Sequence, residues 1–393
     1  MDSQSTNNLQ SLHSKSGSRI AVLHLCNNLD YGDPAKETVT FAILSQRMGL
    51  RSLIASGRGE LVHDAERAAV KHFKFSFENK NWFSLCRNLS KLLEIIEKEN
   101  PRLIHAHGIS VLKTACSLGA KTKRPLLIDL TQPFAKNKRT QRMMDSLKKL
   151  SYLIRVPSEM MKTFLIDNFT IDPAFIEKVP PGIDLYAYNP SNISMERIKY
   201  ISDMWRLPDN SSILFLPLDI EHGHFTFLHA LRRLEDKDFY AIIMSKGKKN
   251  DRDILEKYVM DLGLDSKVII PEACDDWGAA FWLSNIVVAP NIHPMGQNLE
   301  VLQAQAVGRP VIITSVGANE EMVCKASTAW VVSADNVNAL TRALDSAISM
   351  NREQMLALAN NSRIFVEENF PQSVWINQML KLYERLLEPV PLK

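Results

Sequence analysis

Two stretches of this 393-residue chain carry side chains whose types and spacing could do chemistry. The first is Asn291–Val316, NIHPMGQNLEVLQAQAVGRPVIITSV. Its loop, Ile292 to Leu299, brings amides, an imidazole and a glycine together between the β-branched run Ile286–Ala289 and a breaker-free segment, Leu299–Val307. Gly308-Arg309-Pro310 ends that segment, and a second apolar run, Val311–Thr314, follows. Strand, loop, helix, glycine stop and strand make one βαβ unit. In such a unit the loop amides and the positive helix end can hold an anion. The second stretch is Leu103-Ile104-His105-Ala106-His107-Gly108. Histidines two apart on an extended segment point to the same side, which suits a metal ion. No third ligand stands nearby in the sequence, so hydrogen-bonded histidines at a strand end are the favoured reading and no metal is expected.

These residues must be positioned by an α/β framework. Ile20–Leu25 reads as a strand that leads through Asn27–Pro34 into a helix from Lys36 to Met48, and Arg51–Ala55 is the next strand. Trp82–Glu99 is an amphipathic helix stopped by Asn100-Pro101. Leu126–Leu130 and Tyr152–Val156 are strands, and Ser158–Asn168 is a Ser-capped helix. Val179-Pro180-Pro181-Gly182-Ile183-Asp184 is a stiff connection. Beyond it, strands are expected at Ile213–Leu216, Tyr240–Met244, Val268–Ile270, Ile286–Ala289, Val311–Thr314 and Ala329–Val332, with helices between them and Gln372–Leu387 as a closing helix. The division this implies is a disordered polar arm over 1–18, a first domain over 19–185, a second over 186–371, and a closing helix and tail over 372–393.

Composition narrows the function classes. At 45% hydrophobic residues the chain can fill two ordinary cores, and no run is long enough to span a bilayer. The first eighteen residues lack the apolar segment of a signal peptide, so a cytoplasmic location is expected. Five scattered cysteines without a CxxC pair read as reduced thiols, indicating neither zinc nor a disulfide framework. The net charge of +3 conceals an asymmetry: residues 1–185 hold 27 Lys+Arg against 18 Asp+Glu, and the remainder 20 against 26. Lys136–Lys149 (KNKRTQRMMDSLKK) is the densest basic segment and reads as a helix. Its charges form either a solvated face or a weak contact with an anionic membrane, to which each basic side chain adds about 1 kcal/mol. No aromatic residues interleave with them to stack bases, so no nucleic-acid partner is expected.

The Asn291–Val316 run resembles the donor-sugar motif of glycosyltransferase family 4, roughly P-E-x-F-G-x-x-x-x-E-A-x-A-x-G-x-P-V-I. His105-Ala106-His107-Gly108 and Val179–Asp184 are similar to further segments of the family, in family order. The resemblance implies a GT-B fold: two Rossmann-like parallel-sheet domains facing a central cleft, with a C-terminal helix returning to the first domain. It also implies a retaining hexosyltransferase that takes a nucleotide sugar, such as a UDP- or GDP-sugar, without a metal. Counted back from Gly308, the two motif glutamates fall on Met295 and Gln303. The lysine that would grip the donor diphosphate falls on His222, its arginine partner has no counterpart, and the acceptor-side histidine falls on Thr131. The glycine-rich first loop keeps Gly32 but adds Asp30 and Asp33, which repel a diphosphate.

Retaining transfer needs charge stabilised at the sugar and at the departing diphosphate, and a thioether at Met295 supplies none. The resemblance therefore implies a relative of enzymes that build envelope glycans or glycolipids, with impaired or lost activity. Such a pseudoenzyme would be kept as a partner of an active glycosyltransferase. The alternative is an active enzyme with a displaced donor site. Donor-side candidates are Gly32, His222, Gln297, Asn298, Leu299 and Gln303; acceptor-side candidates, for a glycan or lipid-linked acceptor, are His107, Thr131 and Gln132. A nucleotide-sugar epimerase of the same fold would also need charged groups here, and none is evident.

Overall fold

The computed structural model describes residues 19–388, apart from 31, 78–81, 209–211, 219–221, 245–248, 273 and 275. The polar arm, the loop positions Asp219 to Glu221 and the last five residues of the tail lie outside the described residues. The chain folds as two compact units, one of residues 1–180 with 373–393 and one of residues 181–372. The units meet in sequence between Pro180 and Pro181, inside the stiff Val179–Asp184 connection and a few residues before the expected 185/186 boundary.

In the first unit the chain alternates β1 (Ala21–Cys26), α1 (Asp33–Arg47), β2 (Arg51–Ser56), α2 (Val62–Arg67), β3 (Lys71–Lys74), α3 (Trp82–Glu99), β4 (Leu103–His107), α4 (Ile109–Thr122), β5 (Leu126–Asp129), α5 (Lys138–Leu147), β6 (Tyr152–Val156), α6 (Glu159–Phe169) and β7 (Ile176–Lys178). The strands form one parallel sheet in the order β3-β2-β1-β4-β5-β6-β7. Most inner-strand side chains are apolar on both faces because helices cover both, and the buried histidine, aspartate and arginine exceptions lie toward the carboxyl ends of β1, β4, β5 and β6. One face packs on α3, α4 and α6, burying Leu92, Leu112 and Leu165. The other places Val22, Leu103, Leu127 and Leu153 beneath Trp375, Met379 and Tyr383. Those last three belong to the final helix, labelled α14 below, so the end of the chain completes the core of its beginning. β3 and β7 are not legible in the sequence because they are short, polar edge strands without alternation.

The second unit runs α7 (Met195–Trp205), β8 (Ser212–Leu216), α8 (His224–Arg232), β9 (Phe239–Ile243), α9 (Lys249–Asp261), β10 (Val268–Ile269), α10 (Trp277–Leu283), β11 (Ile286–Ala289), α11 (Leu299–Ala306), β12 (Val311–Thr314), β13 (Ala329–Val332), α12 (Val337–Ile348) and α13 (Arg352–Asn369). Its parallel sheet has the order β10-β9-β8-β11-β12-β13. α14 (Gln372–Leu387) follows. The chain is thus α/β, with two Rossmann-like parallel sheets and a C-terminal helix in the first unit. In both sheets the order reverses beside the first strand of the unit, which opens a crevice at the carboxyl ends of β1 and β4 and of β8 and β11. No described helix is long and apolar enough to cross a membrane, and the five cysteines are free.

Candidate active site

In the first unit the crevice is a pocket of about 420 Å³ at the ends of β1, β4 and β5. Gly32, His107, Thr131 and Gln132, assigned to donor and acceptor sides from sequence, line it together with Asn27, Asn28, Asp30 and Ser110. Gly32 caps α1 and Gly108 caps α4, and neither helix start has a side-chain cap. First-turn amides of the two helices, apart from Pro34, which has none, are therefore not taken up by a capping side chain, and the positive ends of both dipoles favour a ligand with acceptor oxygens. No lysine or arginine is among the lining residues, and Asp30 adds a carboxylate.

Behind His107 lies a buried polar cluster that the sequence does not disclose. Strand register sets Cys26, His107, Asp129 and Arg155 in one row, and His24 beside His105 in another. The six ionisable side chains of these rows project from the face covered by α1 and α14. Asp129 Oδ2 lies 3.4 Å from both His105 Nε2 and His107 Nδ1. His107 Nε2 lies 3.1 Å from His24 Nδ1, and His105 Nδ1 is 2.8 Å from the Tyr383 hydroxyl of α14. Arg155, wholly buried, donates from Nε to the Val179 carbonyl and from both terminal nitrogens to Glu37, and its Nη1 stands 3.8 Å from Asp129. Burial, with the neighbouring imidazoles, lowers His24 well below the usual histidine range and takes His105 down to about 4. Burial alone would raise Asp129, but Arg155 and the facing rings of His105 and His107 outweigh it and hold the carboxyl well below its ordinary value. The cluster thus sets two imidazoles that burial holds neutral, those of His24 and His105, beside an ionised carboxylate. The ground for expecting no metal, the lack of a third ligand, does not survive: hydrogen bonding of β1 to β4 brings His24 in from 83 residues away.

In the second unit the loop after β11 is organised by Asn291, which is fully buried. Its Nδ2 donates to His222 Nδ1 at 3.2 Å and to the Met295 thioether at 2.7 Å. Its Oδ1 accepts from Asn298 Nδ2 at 3.3 Å and from Asn319 Nδ2 at 3.2 Å. All four hydrogen-bonding positions of that amide are used. Thr314 Oγ1 donates to the Asn291 carbonyl, and Asn298 also caps α11 by accepting from the Val301 amide. Two glycines let the loops close on it. Gly223, at φ +88°, lies so near Pro290 that a Cβ would sit 2.0 Å from its carbonyl oxygen; Gly317, at φ +62°, would bring one within 2.5 Å of the Met295 backbone. His222, Met295 and Asn298 are therefore brought together, with Gln297 and Leu299 buried alongside. Gln303 lies apart from these bonds, half-buried on α11. Arg309 of the Gly-Arg-Pro turn is committed elsewhere, donating to the Trp282 carbonyl and stacked 5.4 Å from its ring centroid. Glu300, unremarked in sequence, is a buried carboxylate three residues before Gln303. It is close enough to contribute, after burial, to raising the buried Tyr188 hydroxyl.

Comparison with known proteins agrees with this geometry. The profile of Glycosyltransferase Family 4 matches residues 43–186 and that of Glycosyl transferases group 1 matches residues 213–350, together well over half the chain. A D-inositol 3-phosphate glycosyltransferase of Gordonia bronchialis is 24% identical over 311 residues, 73% of this chain and 61% of that protein. A putative glycosyltransferase of Bacillus subtilis is 25% identical over 250 residues, covering 60% of this chain and 61% of its own. The chain thus spans about 60% of the length of these curated relatives. Among solved structures, a glycosyltransferase from Rickettsia africae superposes with a TM-score of 0.87 at 20% identity, over 95% of this chain and 100% of the other. Anabaena HepE, solved with UDP and glucose, gives 0.82 at 15% identity, over 93% and 99%. With both profiles in chain order and the two-sheet architecture to match, this protein belongs to the family 4-like glycosyltransferases of the GT-B fold.

Proposed function

We propose that this chain is a glycosyltransferase relative that keeps a pocket for a polyhydroxylated acceptor while its own retaining transfer is impaired. The saturated Asn291 amide carries the reading. Where the family pattern sets carboxylates and cations around a nucleotide sugar, the side chains here are a thioether, an imidazole and amides that satisfy one another. Loss of a single positioned charge at such a site costs on the order of 10²–10³ in rate. Several absent charges need not multiply, but they fall in separate loops. Gln303 still offers an amide for a ribose hydroxyl, so weak binding of a UDP- or GDP-sugar is retained, the class held by HepE. The polar lining of the first-unit pocket, amides and the Asp30 carboxylate without lysine or arginine, suits sugar hydroxyls of an envelope glycan or lipid-linked acceptor. The protein then acts as a partner of an active glycosyltransferase, in the cytoplasm and peripheral to the membrane through Lys136–Lys149.

The test is calorimetric titration with UDP and GDP, paired with an assay for nucleoside diphosphate release from nucleotide sugars in the presence of cell-extract acceptors. Millimolar nucleotide affinity without release is expected. Sustained release abolished by a donor-side substitution overturns the proposal. One observation favours a second reading, an active enzyme with a displaced donor site. Glu300 puts a buried carboxylate one helical turn before Gln303. In that case Glu300→Gln removes turnover while the Met295→Gln variant keeps it.

A further inference from the structure

Three imidazoles converge behind the first-unit pocket, and one ring nitrogen from each of His24, His105 and His107 lies within 4.8 Å of one from each of the others. His24 and His105 are wholly enclosed, and neither Nε2 makes a hydrogen bond of good geometry. A buried polar atom left in that state costs about 1–3 kcal/mol, so the cluster is incomplete as a purely hydrogen-bonded network.

Two of the spacings, those from Asp129, suit a four-coordinate ion. Zinc bonds of about 2.0–2.1 Å place tetrahedral ligand atoms roughly 3.3 Å apart. Asp129 Oδ2 already stands 3.4 Å from His105 Nε2 and 3.4 Å from His107 Nδ1. Outer support is present as well. When His105 Nε2 binds an ion, Nδ1 carries the proton and donates to Tyr383, whose oxygen lies 2.8 Å away. His107 and Cys26 also line the pocket, so an ion has an approach from that side.

We propose that His24, His105, His107 and Asp129 bind one divalent transition-metal ion of the zinc class. Three imidazoles and one carboxylate are a borderline donor set that suits zinc, and cobalt as its spectroscopic substitute, over magnesium or calcium. The ion ties β1, β4 and β5 together, and through Tyr383 it sets the seat of α14.

The experiment uses the untagged full-length chain, stripped with a chelator and titrated with Co²⁺ and then Zn²⁺. One equivalent of cobalt per chain is expected, with the visible absorption of a four-coordinate site, displaced by zinc. X-ray absorption at the zinc edge should show three imidazole nitrogens and one oxygen. His24→Gln and Asp129→Asn should each weaken binding at least 10-fold and Tyr383→Phe about 10-fold, whereas His63→Gln, at an exposed position, leaves it unchanged. Substoichiometric cobalt, a different ligand set, or equal affinity in all four variants overturns the proposal and leaves a buried water bridging the rings. If His24→Gln does not fold, the wild-type absorption spectrum and Tyr383→Phe decide.

Discussion

At residue scale, what separates this chain from the family pattern is how its polar side chains spend their hydrogen bonds. Asn291 uses both donors and both lone pairs within the protein. Restoring charge in its neighbourhood tests whether the aligned positions are the donor positions. Met295→Glu combined with Gln303→Glu should raise UDP- or GDP-sugar affinity at least 10-fold, about 1.4 kcal/mol by calorimetry; unchanged affinity places the donor elsewhere. A second prediction concerns His224, fully buried in the first turn of α8. Burial takes its pKa down to about 4, whereas the unfolded chain protonates it near 6.5. Between those values the unfolded state holds a proton that the folded state does not. Its contribution is therefore complete above about pH 6.5 and is lost as pH falls toward 4. The His224 share should be a loss on the order of 2 kcal/mol from pH 7 to pH 5, read by urea denaturation as the difference in slope between the wild type and His224→Gln.

At the scale of elements, α5 and α14 show how one helix serves two purposes by dividing its faces. Asn137 caps α5 in a capping box with Thr140, and the helix buries Met143, Met144 and Leu147 while Lys138, Arg139 and Arg142 stay exposed. If that face meets an anionic leaflet, replacing Lys138, Arg142 and Lys149 by Glu should weaken sedimentation with phosphatidylglycerol vesicles at least 100-fold at low salt, at about 1 kcal/mol per charge. Equal binding to neutral vesicles would show the contact is not electrostatic. α14 buries Trp375, Ile376, Met379, Leu380, Leu382 and Tyr383. At roughly 2 kcal/mol for each buried side chain, that approaches the whole stability of a domain. A chain ending at Pro371 should therefore lose the fold of the first unit, read as complete amide exchange in β1, β4 and β5 while the strands of the second unit stay protected.

At the scale of the molecule, the two units differ in the chemistry their loops present. The first-unit pocket offers hydroxyl-binding amides and two uncapped helix starts. The second-unit loop offers a self-satisfied neutral network with Glu300 beside it. That contrast is why, on the function proposed above, transfer and binding are measured separately. Fold agreement over nearly the full chain with sugar-transferring relatives does not by itself supply the charges that transfer requires.

The sequence by itself determined the alternation of apolar strands and amphipathic helices, and with it both parallel sheets, the closing helix and the family. Those features follow from local periodicity and from turn residues such as Pro181, Gly182 and Gly308, which act over a few neighbours. It also gives the positions that align with the motif's charges, because spacing from Gly308 is a local count. Only tertiary structure decided what those positions touch. Asn291 stood in the open sequence with nothing to mark it as a hub, since His222 and Asn319 reach it from other loops. His24 looked like one polar residue in an apolar strand until parallel pairing set it beside His105, and Tyr383 joined that pair from 278 residues away. Sheet register and helix docking create such neighbours, and neither is a property of any single stretch of chain.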